Sequence, residues 1–286
     1  MLAHDNPCFG REINAMRIAV LMTCYNRVAT TLACLEALFR NGGCNLDVWL
    51  VDDASPDKTG EKIKAKYPSI NVIKGTGSLY WAKGMHFAWE SAIKSGGKFD
   101  FFLWLNDDVM LKSDTISSLL SDYTQLTTNH QPLTTAPVIV GACEWGGECT
   151  YGVTDLKYRK VQPIGKPQLS NGWLNGNVVL VPWATYQAVG MVCPDYTHAR
   201  ADYDYAERLK KAGIPFYGSS NYVGTCRNDY VRKMQGMPFC QRMKLLVRPS
   251  YWNLYDLWLI RRRHHGIMAA IVSCVHLIFI AARGVR

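Results

Sequence analysis

The amino-acid sequence predicts an α/β fold in which a mixed, mainly parallel β-sheet is flanked by helices. The clearest sign is the run FFLWL at residues 101–105, five apolar residues that indicate a strand buried on both faces. Strand-like runs also alternate with helix-like segments from Arg17 onward, which is typical of parallel strands joined by right-handed crossovers. With 286 residues, 48% of them hydrophobic, the chain can build one such domain and an appendage.

The first half of the chain supplies four predicted strands. They span residues 17–23, 47–51, 71–74 and 101–105, and helices are expected over 28–40, over 57–67 and up to residue 94. The segment GTGSLYWAKGM, residues 75–85, leads from the third strand into the last of these helices. No GxGxxG motif follows the first strand, which counts against a dinucleotide-binding Rossmann enzyme.

The second half is less regular. We expect a helix over 113–126, a strand over 137–143, a hairpin over 144–160, a strand over 173–181 and helices over 183–189 and 202–213. The strand WLNGNVVLV at 173–181 carries Gly176 near its start, a place where a ligand can approach the backbone.

Charge divides the chain unevenly. Residues 209–286 carry a formal charge of +11, whereas the first 208 residues carry −2. A localised basic surface indicates a specific contact rather than general nucleic-acid affinity, so no nucleic-acid partner is expected. We divide the chain into a loose arm over 1–15, an α/β domain over 16–230 and a basic, aromatic helical region over 231–286. The ten cysteines form no CxxC pair or zinc-type spacing, and no signal peptide precedes them, so we expect reduced thiols in a cytosolic protein.

Two pairs of acidic residues follow predicted strands. Asp107 and Asp108 come directly after residues 101–105, and Asp52 and Asp53 end the second strand. Adjacent carboxylates repel each other unless a cation lies between them, and Mg2+ or Mn2+ with a substrate phosphate would serve. The alternative is that Asp107 and Asp108 open a loop and cap the next helix. Because ligands of parallel sheets bind beyond the carboxyl ends of the strands, two acidic pairs on one rim favour a shared site.

A third acidic cluster, ADYDYAERLKKAG at residues 201–213, begins a predicted helix. Asp202 and Asp204 lie in its first turn, where acids are favoured by the helix dipole, so capping alone explains them as one alternative. The other alternative is a functional carboxylate, since the acids alternate with Tyr203 and Tyr205 where the helix starts.

The order of these motifs resembles the family 2 glycosyltransferases, the inverting enzymes of the GT-A fold, including rhamnosyltransferase-like members that build bacterial polysaccharides. The resemblance covers residues 17–229. It rests on six segments in order: TCYNR after the first strand, VDDAS at 51–55, GSLYWAKGM at 77–85, LNDD at 105–108, LNGNVVLV at 174–181 and ADYDYAERLKKAG at 201–213. It implies a GT-A-like domain, an NDP-sugar donor and a divalent cation, Mg2+ or Mn2+.

The resemblance also implies roles for individual residues. Asp202 would be the general base, and Asp108, with Asp107, would hold the metal. The donor would contact Thr23, Tyr25, Asn26, Asp52, with Asp53 as second choice, Trp81, Lys83, Gly84, Met85, Asn106 and Asp107. The acceptor would face Trp173, Asn175, Gly176 and Asp204. Asp108 would need a low pKa beside the metal, and Asp202 a pKa closer to neutral in a drier pocket.

The chain departs from the family at one position. Many relatives carry a His in the strand after the catalytic helix, where it can join the metal, and here that position is Cys226. A thiolate is a poor partner for Mg2+, so the third metal ligand is open, and a small buried residue is the simpler interpretation of Cys226.

The C-terminal region is expected to lie on a membrane surface. The apolar run IMAAIVSCVHLIFIAA at 267–282 has 16 residues, fewer than the ~20 that span a bilayer. Trp252, Tyr255 and Trp258 beside Arg261–Arg263 are typical of an interfacial anchor on the cytoplasmic face of the inner membrane. A buried helix or a homo-oligomer contact is the alternative.

These features together predict transfer from an NDP-sugar to a saccharide acceptor linked to a polyprenyl diphosphate. Two other functional classes are the alternatives. A sugar-nucleotide pyrophosphorylase would want a Gly-rich basic loop after the first strand, which TCYNR lacks. A non-catalytic nucleotide-sugar-binding scaffold at the membrane would not need Asp107, Asp108 and Asp202. The sugar, the nucleotide and the oligomeric state stay open.

Overall fold

The computed structural model describes residues 16–41, 45–128, 136–228, 237–249 and 253–283. The predicted arm over 1–15 and Trp252 of the predicted anchor lie outside these residues.

The described residues form one mixed sheet. Its strands are β1 (Arg17–Cys24), β2 (Asn45–Asp52), β3 (Asn71–Lys74), β4 (Phe101–Leu105), β5 (Met110–Leu111), β6 (Val138–Trp145), β7 (Glu148–Tyr151), β8 (Gln168–Leu169), β9 (Val178–Pro182) and β10 (Phe216–Thr225). The order along the sheet is β3-β2-β1-β4-β9-β6-β10-β5, with β7 beside β6 and β8 beside β10. The first four strands pair in parallel, as predicted, whereas β9 runs antiparallel to β4 and β6.

The central strand β4 is buried on both faces, as its unbroken apolar run predicts. Phe101, Leu103 and Leu105 pack into the core on one side of the sheet. Phe102 and Trp104 pack into a second core on the other side. Helices must therefore cover both faces, and the carboxyl end of β4 opens between them.

The helices are α1 (Val28–Phe39), α2 (Thr59–Lys66), α3 (Tyr80–Lys94), α4 (Thr115–Thr128), α5 (Trp183–Val189), α6 (Ala201–Lys211), α7 (Phe239–Leu245), α8 (Leu254–His265) and α9 (Ile267–Arg283). Most predicted boundaries differ by at most two residues, but the strand expected over 173–181 begins only at Val178. The preceding residues form a loop, in which a Cβ at Gly176 would lie 2.5 Å from the Trp81 ring. The glycine thus marks a close approach between this loop and α3 rather than the interior of a strand.

The C-terminal helix α9 presents an exposed apolar face. Ile267, Met268, Ile271, Val272, Val275, Ile278 and Phe279 are 39–67% exposed. The opposite side includes the fully buried Ala270 and Ala281. Of the described helices, none combines the length and the apolar character needed to cross a bilayer.

Candidate active site

Asp107 and Asp108 leave the carboxyl end of β4 beside the loop that follows β1. The Asp107 side chain is 8% exposed and accepts hydrogen bonds from Arg27 Nη1 at 2.9 Å and Thr31 Oγ1 at 3.1 Å. The Asp108 side chain is 38% exposed and accepts from the same Arg27 nitrogen at 3.2 Å. A cation does lie between the two acids, and it is a guanidinium that sequence reasoning missed although it ends the TCYNR motif.

Arg27 determines the charge of Asp107. Burial raises the pKa of Asp107 to about 6, while the charge of Arg27 opposes that shift and the charge of Asp108 adds to it. Removing the guanidinium would leave a buried carboxylate beside a second carboxylate, a costly arrangement.

We expect Arg27→Ala to lower the free energy of unfolding by about 2 kcal/mol, because a half-exposed guanidinium neutralises a buried acid. Urea denaturation at pH 7 measures the effect. Arg40→Ala is the matched control, since Arg40 is 62% exposed and pairs with Glu36 at 4.0 Å on the surface, which is worth less than about 0.5 kcal/mol. Equal losses from Arg27→Ala and Arg40→Ala would contradict the proposed role of Arg27.

Cys226 lies beside the acidic pair. Its Sγ is 3.7 Å from Asp108 Oδ1, and Asn177 Nδ2 lies 3.6 Å from the same sulfur. Burial, followed by the charge of Asp108, raises the pKa of the Cys226 thiol, so the sulfur stays protonated and is a poor ligand for a hard cation. Among the described residues, no three His, Cys, Asp or Glu side chains form a metal-holding group. The site fits a cation that takes one carboxylate, Asp108, and completes its shell with phosphate oxygens and water.

Asp52 and Asp53 at the end of β2 bind loop amides. Asp52 accepts from the backbone N–H groups of Ser55 at 3.1 Å and Gly60 at 2.9 Å. Asp53 is 4% exposed and accepts three backbone N–H bonds that shape the start of α3, from Gly77, Leu79 and Tyr80. Asp52 is the more accessible of the two, which agrees with its place as first choice for a base contact, a role that remains a prediction.

Helix α3 distributes the residues of the GSLYWAKGM segment in different directions. Trp81 is half-buried, and its Nε1 donates to Asn106 Oδ1 at 2.7 Å, next to the acidic pair. Lys83 is exposed. Met85 is fully buried in the core between α3 and the sheet. The prediction that the Met85 side chain lines the donor pocket is therefore wrong: it lies one turn further along the same face of α3 as Trp81, where that face is already covered by the core.

The loop after β1 and helix α3 meet at Gly84. A Cβ at this position would overlap Thr23 Oγ1, so the glycine lets α3 pack directly on the end of β1. Tyr25 is 54% exposed, and Asn26 has a left-handed backbone with φ 54°. The Asn26 amide donates to Ser55 Oγ at 2.9 Å, which joins this loop to the loop after β2.

Asp202 occupies the first turn of α6 and faces the loop that carries Gly176. Its Oδ2 accepts from the Gly176 amide at 3.2 Å, and its Oδ1 accepts from the Tyr203 amide at 2.9 Å. Burial raises the pKa of Asp202 to about 6, while these amides and the charge of Lys160 oppose the shift. A carboxylate with a pKa near 6 is ionised at neutral pH and basic enough to take a proton from a hydroxyl.

Aromatic and polar side chains extend the wall around Asp202. Tyr158 and Trp173 stack with ring centroids 4.1 Å apart, and Lys210 Nζ lies 4.8 Å from the Trp173 ring. Lys160 Nζ donates a hydrogen bond to Asn175 Oδ1. Trp173 and Asn175, both predicted acceptor contacts, are thus in contact with Tyr158 and Lys160 of the wall. The irregular sequence of the predicted hairpin over 144–160 did not indicate these two residues.

Asp204 is not an acceptor contact, and that prediction is wrong. Its carboxylate is fully buried and accepts from Arg208 Nε at 2.8 Å, Tyr196 Oη at 3.0 Å and His264 Nε2 at 2.8 Å. Although burial raises its pKa, the hydrogen bond from His264 and the charge of Arg208 hold the pKa below its usual range. Asp202 and Asp204 are two positions apart on α6, which turns their side chains about 200° from each other, so they face opposite directions.

A cavity of about 580 Å3 joins these elements. Four of the predicted site residues line it: Trp81, Asn106, Gly176 and Asp202. Its wall also includes residues that the sequence did not assign to the site: Tyr158, Lys160, His198, Arg200, His276 and Arg261, which was predicted to belong to the membrane anchor. Asp107 and Asp108 are not among its lining residues, but they follow Asn106, which is, and Asp108 is joined through Cys226 to Asn177, which also lines it.

Comparison with known proteins finds a family model that matches part of the chain and solved structures with the same fold. Residues 19–129 match the family model described as glycosyl transferase family 2. A solved structure of the mannosyltransferase PcManGT from Pyrobaculum calidifontis, in complex with GDP-Man and Mn2+, aligns with a TM-score of 0.56 over 93% of this chain and 73% of that chain, at 13% identity. TarS 1-349 from S. aureus, in complex with UDP-GlcNAc, aligns with a TM-score of 0.56 over 94% and 74%, also at 13% identity. No curated protein matches the sequence. At these identities the two structures establish the fold.

Proposed function

We propose that this chain is a glycosyltransferase with a family 2 domain and the GT-A fold. It moves a sugar, with inversion, from a nucleotide-sugar donor to a saccharide acceptor. One observation supports the proposal above others. Asp202, whose pKa is raised to about 6, lines a cavity of substrate size. This carboxylate is separate from the acidic pair Asp107 and Asp108. An inverting transfer needs this division between one base and one diphosphate site.

In the proposed reaction, the Asp202 carboxylate takes the proton from the acceptor hydroxyl. The hydroxyl oxygen then forms a bond to the anomeric carbon from the face opposite the nucleotide, and the bond to the diphosphate oxygen breaks. The Gly176 amide orients Asp202 by binding Oδ2, and its position under Trp81 restricts the movement of that loop.

The leaving diphosphate gains negative charge, which cations stabilise. Asp108 would hold a divalent cation together with the phosphate oxygens, and such an ion would supply Lewis-acid stabilisation of the leaving group. Arg27, already between the two acids, adds a fixed positive charge at the same edge. The solved structures are of PcManGT in complex with GDP-Man and Mn2+ and of TarS 1-349 in complex with UDP-GlcNAc, so both guanine and uracil nucleotides belong in the first donor panel.

Incubation with the correct NDP-sugar and an acceptor is expected to release nucleoside diphosphate, with the rate raised by Mn2+ or Mg2+. A coupled assay with UDP-, GDP- and dTDP-sugars measures the release, with the metal alone and with EDTA in excess of the metal. A protein that binds a nucleotide-sugar and releases nothing with any saccharide acceptor would contradict the enzymatic proposal. Release of pyrophosphate from a nucleoside triphosphate would indicate the pyrophosphorylase alternative instead.

The second part of the proposal is attachment to an anionic membrane surface, with a lipid-linked acceptor. Its support is the apolar face of α9 between clusters of basic residues. Arg262 is exposed at the end of α8, and Arg283 closes α9. An amphipathic helix with flanking cations binds at the interface of anionic lipid rather than across the bilayer.

Val272→Asp together with Phe279→Asp is expected to reduce binding to vesicles that contain anionic lipid at least tenfold, because both side chains are more than half exposed on the apolar face. Sedimentation with the vesicles measures the bound fraction. The control pair is Thr128→Asp with Ser117→Asp, on the exposed side of α4. Unchanged sedimentation of the α9 variant would refute membrane attachment through this face.

A further inference from the structure

The cavity that holds Asp202 has a second wall, made by the C-terminal helices. Leu257 and Arg261 of α8, and Ser273, His276, Leu277 and Ile280 of α9, line it opposite the sheet. The same helix α9 exposes its other side, so one helix separates the apolar outer face from the cavity. A ligand that reaches Asp202 must therefore contact the C-terminal helices as well as the α/β domain.

Two arginines, Arg200 and Arg261, line this cavity. Burial lowers the pKa of the Arg200 guanidinium; the attraction of Tyr203 opposes this shift, and the positive charge of Arg261 adds to it. Both arginines line the same cavity, and their like charges repel each other in a partly desolvated place. An anion between them would relieve both the repulsion and the desolvation, and a phosphate accepts the paired N–H groups of arginine well.

The backbone at Arg200 supports a functional interpretation. Arg200 precedes α6 with φ 72°, in the left-handed region that residues other than glycine seldom adopt. Such conformations cluster at ligand sites, where the surrounding structure maintains them. The arrangement places Arg200 two residues before Asp202, on the same cavity wall.

Aliphatic side chains lie beside the arginines. Leu257 is buried at the cavity, and Leu277 and Ile280 lie one turn apart on the inner side of α9. Two cations next to an aliphatic wall suit an amphiphile with an anionic head, and neither a free sugar nor an inorganic ion would use both parts.

We propose that this part of the cavity binds the prenyl phosphate portion of the acceptor, with the phosphate between Arg200 and Arg261 and the first isoprenyl units against Leu257, Leu277 and Ile280. The assignment rests on the proposed glycosyltransferase function and names its acceptor class and subsite. Because Asp202 lines the same cavity of about 580 Å3, the attacking hydroxyl belongs to a sugar close to that phosphate.

The experiment measures equilibrium binding without donor, so it is independent of turnover. Farnesyl phosphate, farnesol and inorganic phosphate are titrated into the full chain in detergent-free buffer by calorimetry. Farnesyl phosphate is expected to bind at least tenfold more tightly than farnesol or phosphate, because each of these keeps only one part of the interaction. Equal affinity for farnesol, or for phosphate alone, would overturn the proposal.

Matched variants locate the site. Arg261→Gln and Leu277→Ala should each weaken farnesyl phosphate binding about tenfold, whereas Arg262→Gln and Val275→Ala, exposed neighbours on the same helices, should not. Weakening by Arg262→Gln as large as that by Arg261→Gln would overturn the assignment. Displacement of farnesyl phosphate by UDP or GDP would do so as well, since the arginines would then belong to the donor site.

Discussion

Replacing Asp202 with Asn is expected to lower kcat about a thousandfold and to leave donor affinity unchanged. The amide oxygen can still accept from the Gly176 amide, so the local structure is preserved, but the group can no longer take a proton. The acidic pair and Arg27 are untouched, so the diphosphate site stays intact. Single-turnover kinetics and a separate nucleotide-sugar titration distinguish lost chemistry from lost binding.

The pH dependence of the wild-type enzyme gives a second readout of the same carboxylate. Because burial raises the pKa of Asp202 to about 6, the basic form is lost as pH falls through that value. Asp107, whose pKa is also about 6, is protonated in the same range. We expect log kcat/KM to rise up to about pH 6 and to level off above it, and the Asp202→Asn variant to show a slope lower by one than the wild type, because only the contribution of Asp202 is lost. Asp114→Asn, an exposed carboxylate next to α4, is the control. Near-normal turnover by Asp202→Asn would show that another group is the base.

The parts of the fold that follow from periodicity were predictable. The strand at residues 101–105 has its predicted bounds, because five apolar residues between polar turns have few alternatives. The strand over 71–74 and the helix over 183–189 also have their predicted bounds. The sequence could not show that β9 runs antiparallel or that Trp173 lies in a loop, since an apolar run does not encode direction or partner.

The candidate site was less predictable than the fold. Adjacent carboxylates indicate that a cation lies near them, but they do not indicate which cation. Arg27 lies 80 residues from Asp107 in the chain, so its contact was not predictable. Asp204 differs from Asp202 only in its direction around α6, and its partner His264 is distant in sequence. No sequence motif indicated that α8 and α9 form a wall of the cavity, because this wall depends on how the two helices pack against α6 and the segment 144–160. Residue types thus indicated the chemistry, whereas packing decided which members of each cluster face the ligand.

The two acids after β4 differ in accessibility, and this difference predicts different responses to substitution. The Asp108 side chain is 38% exposed, whereas that of Asp107 is 8% exposed and is held by Arg27 and Thr31. A cation that arrives with the donor can reach Asp108 while Asp107 keeps its internal bonds. Both remain predicted metal ligands, with Asp108 as the direct one.

Asp108→Asn is therefore expected to lower kcat/KM about a thousandfold and to abolish activation by Mn2+, because the proposed site of the diphosphate-bound cation loses its carboxylate charge. Asp107→Asn is the matched comparison. Its amide can still meet Arg27 and Thr31, so we expect it to retain Mn2+ activation with a smaller loss, of about tenfold. Mn2+ titrations of the two variants at saturating donor, after treatment with EDTA, measure the difference. If Asp108→Asn responds to Mn2+ as the wild type does, the cation lies elsewhere, and Arg27 is then the remaining charge at this edge that can stabilise the leaving diphosphate.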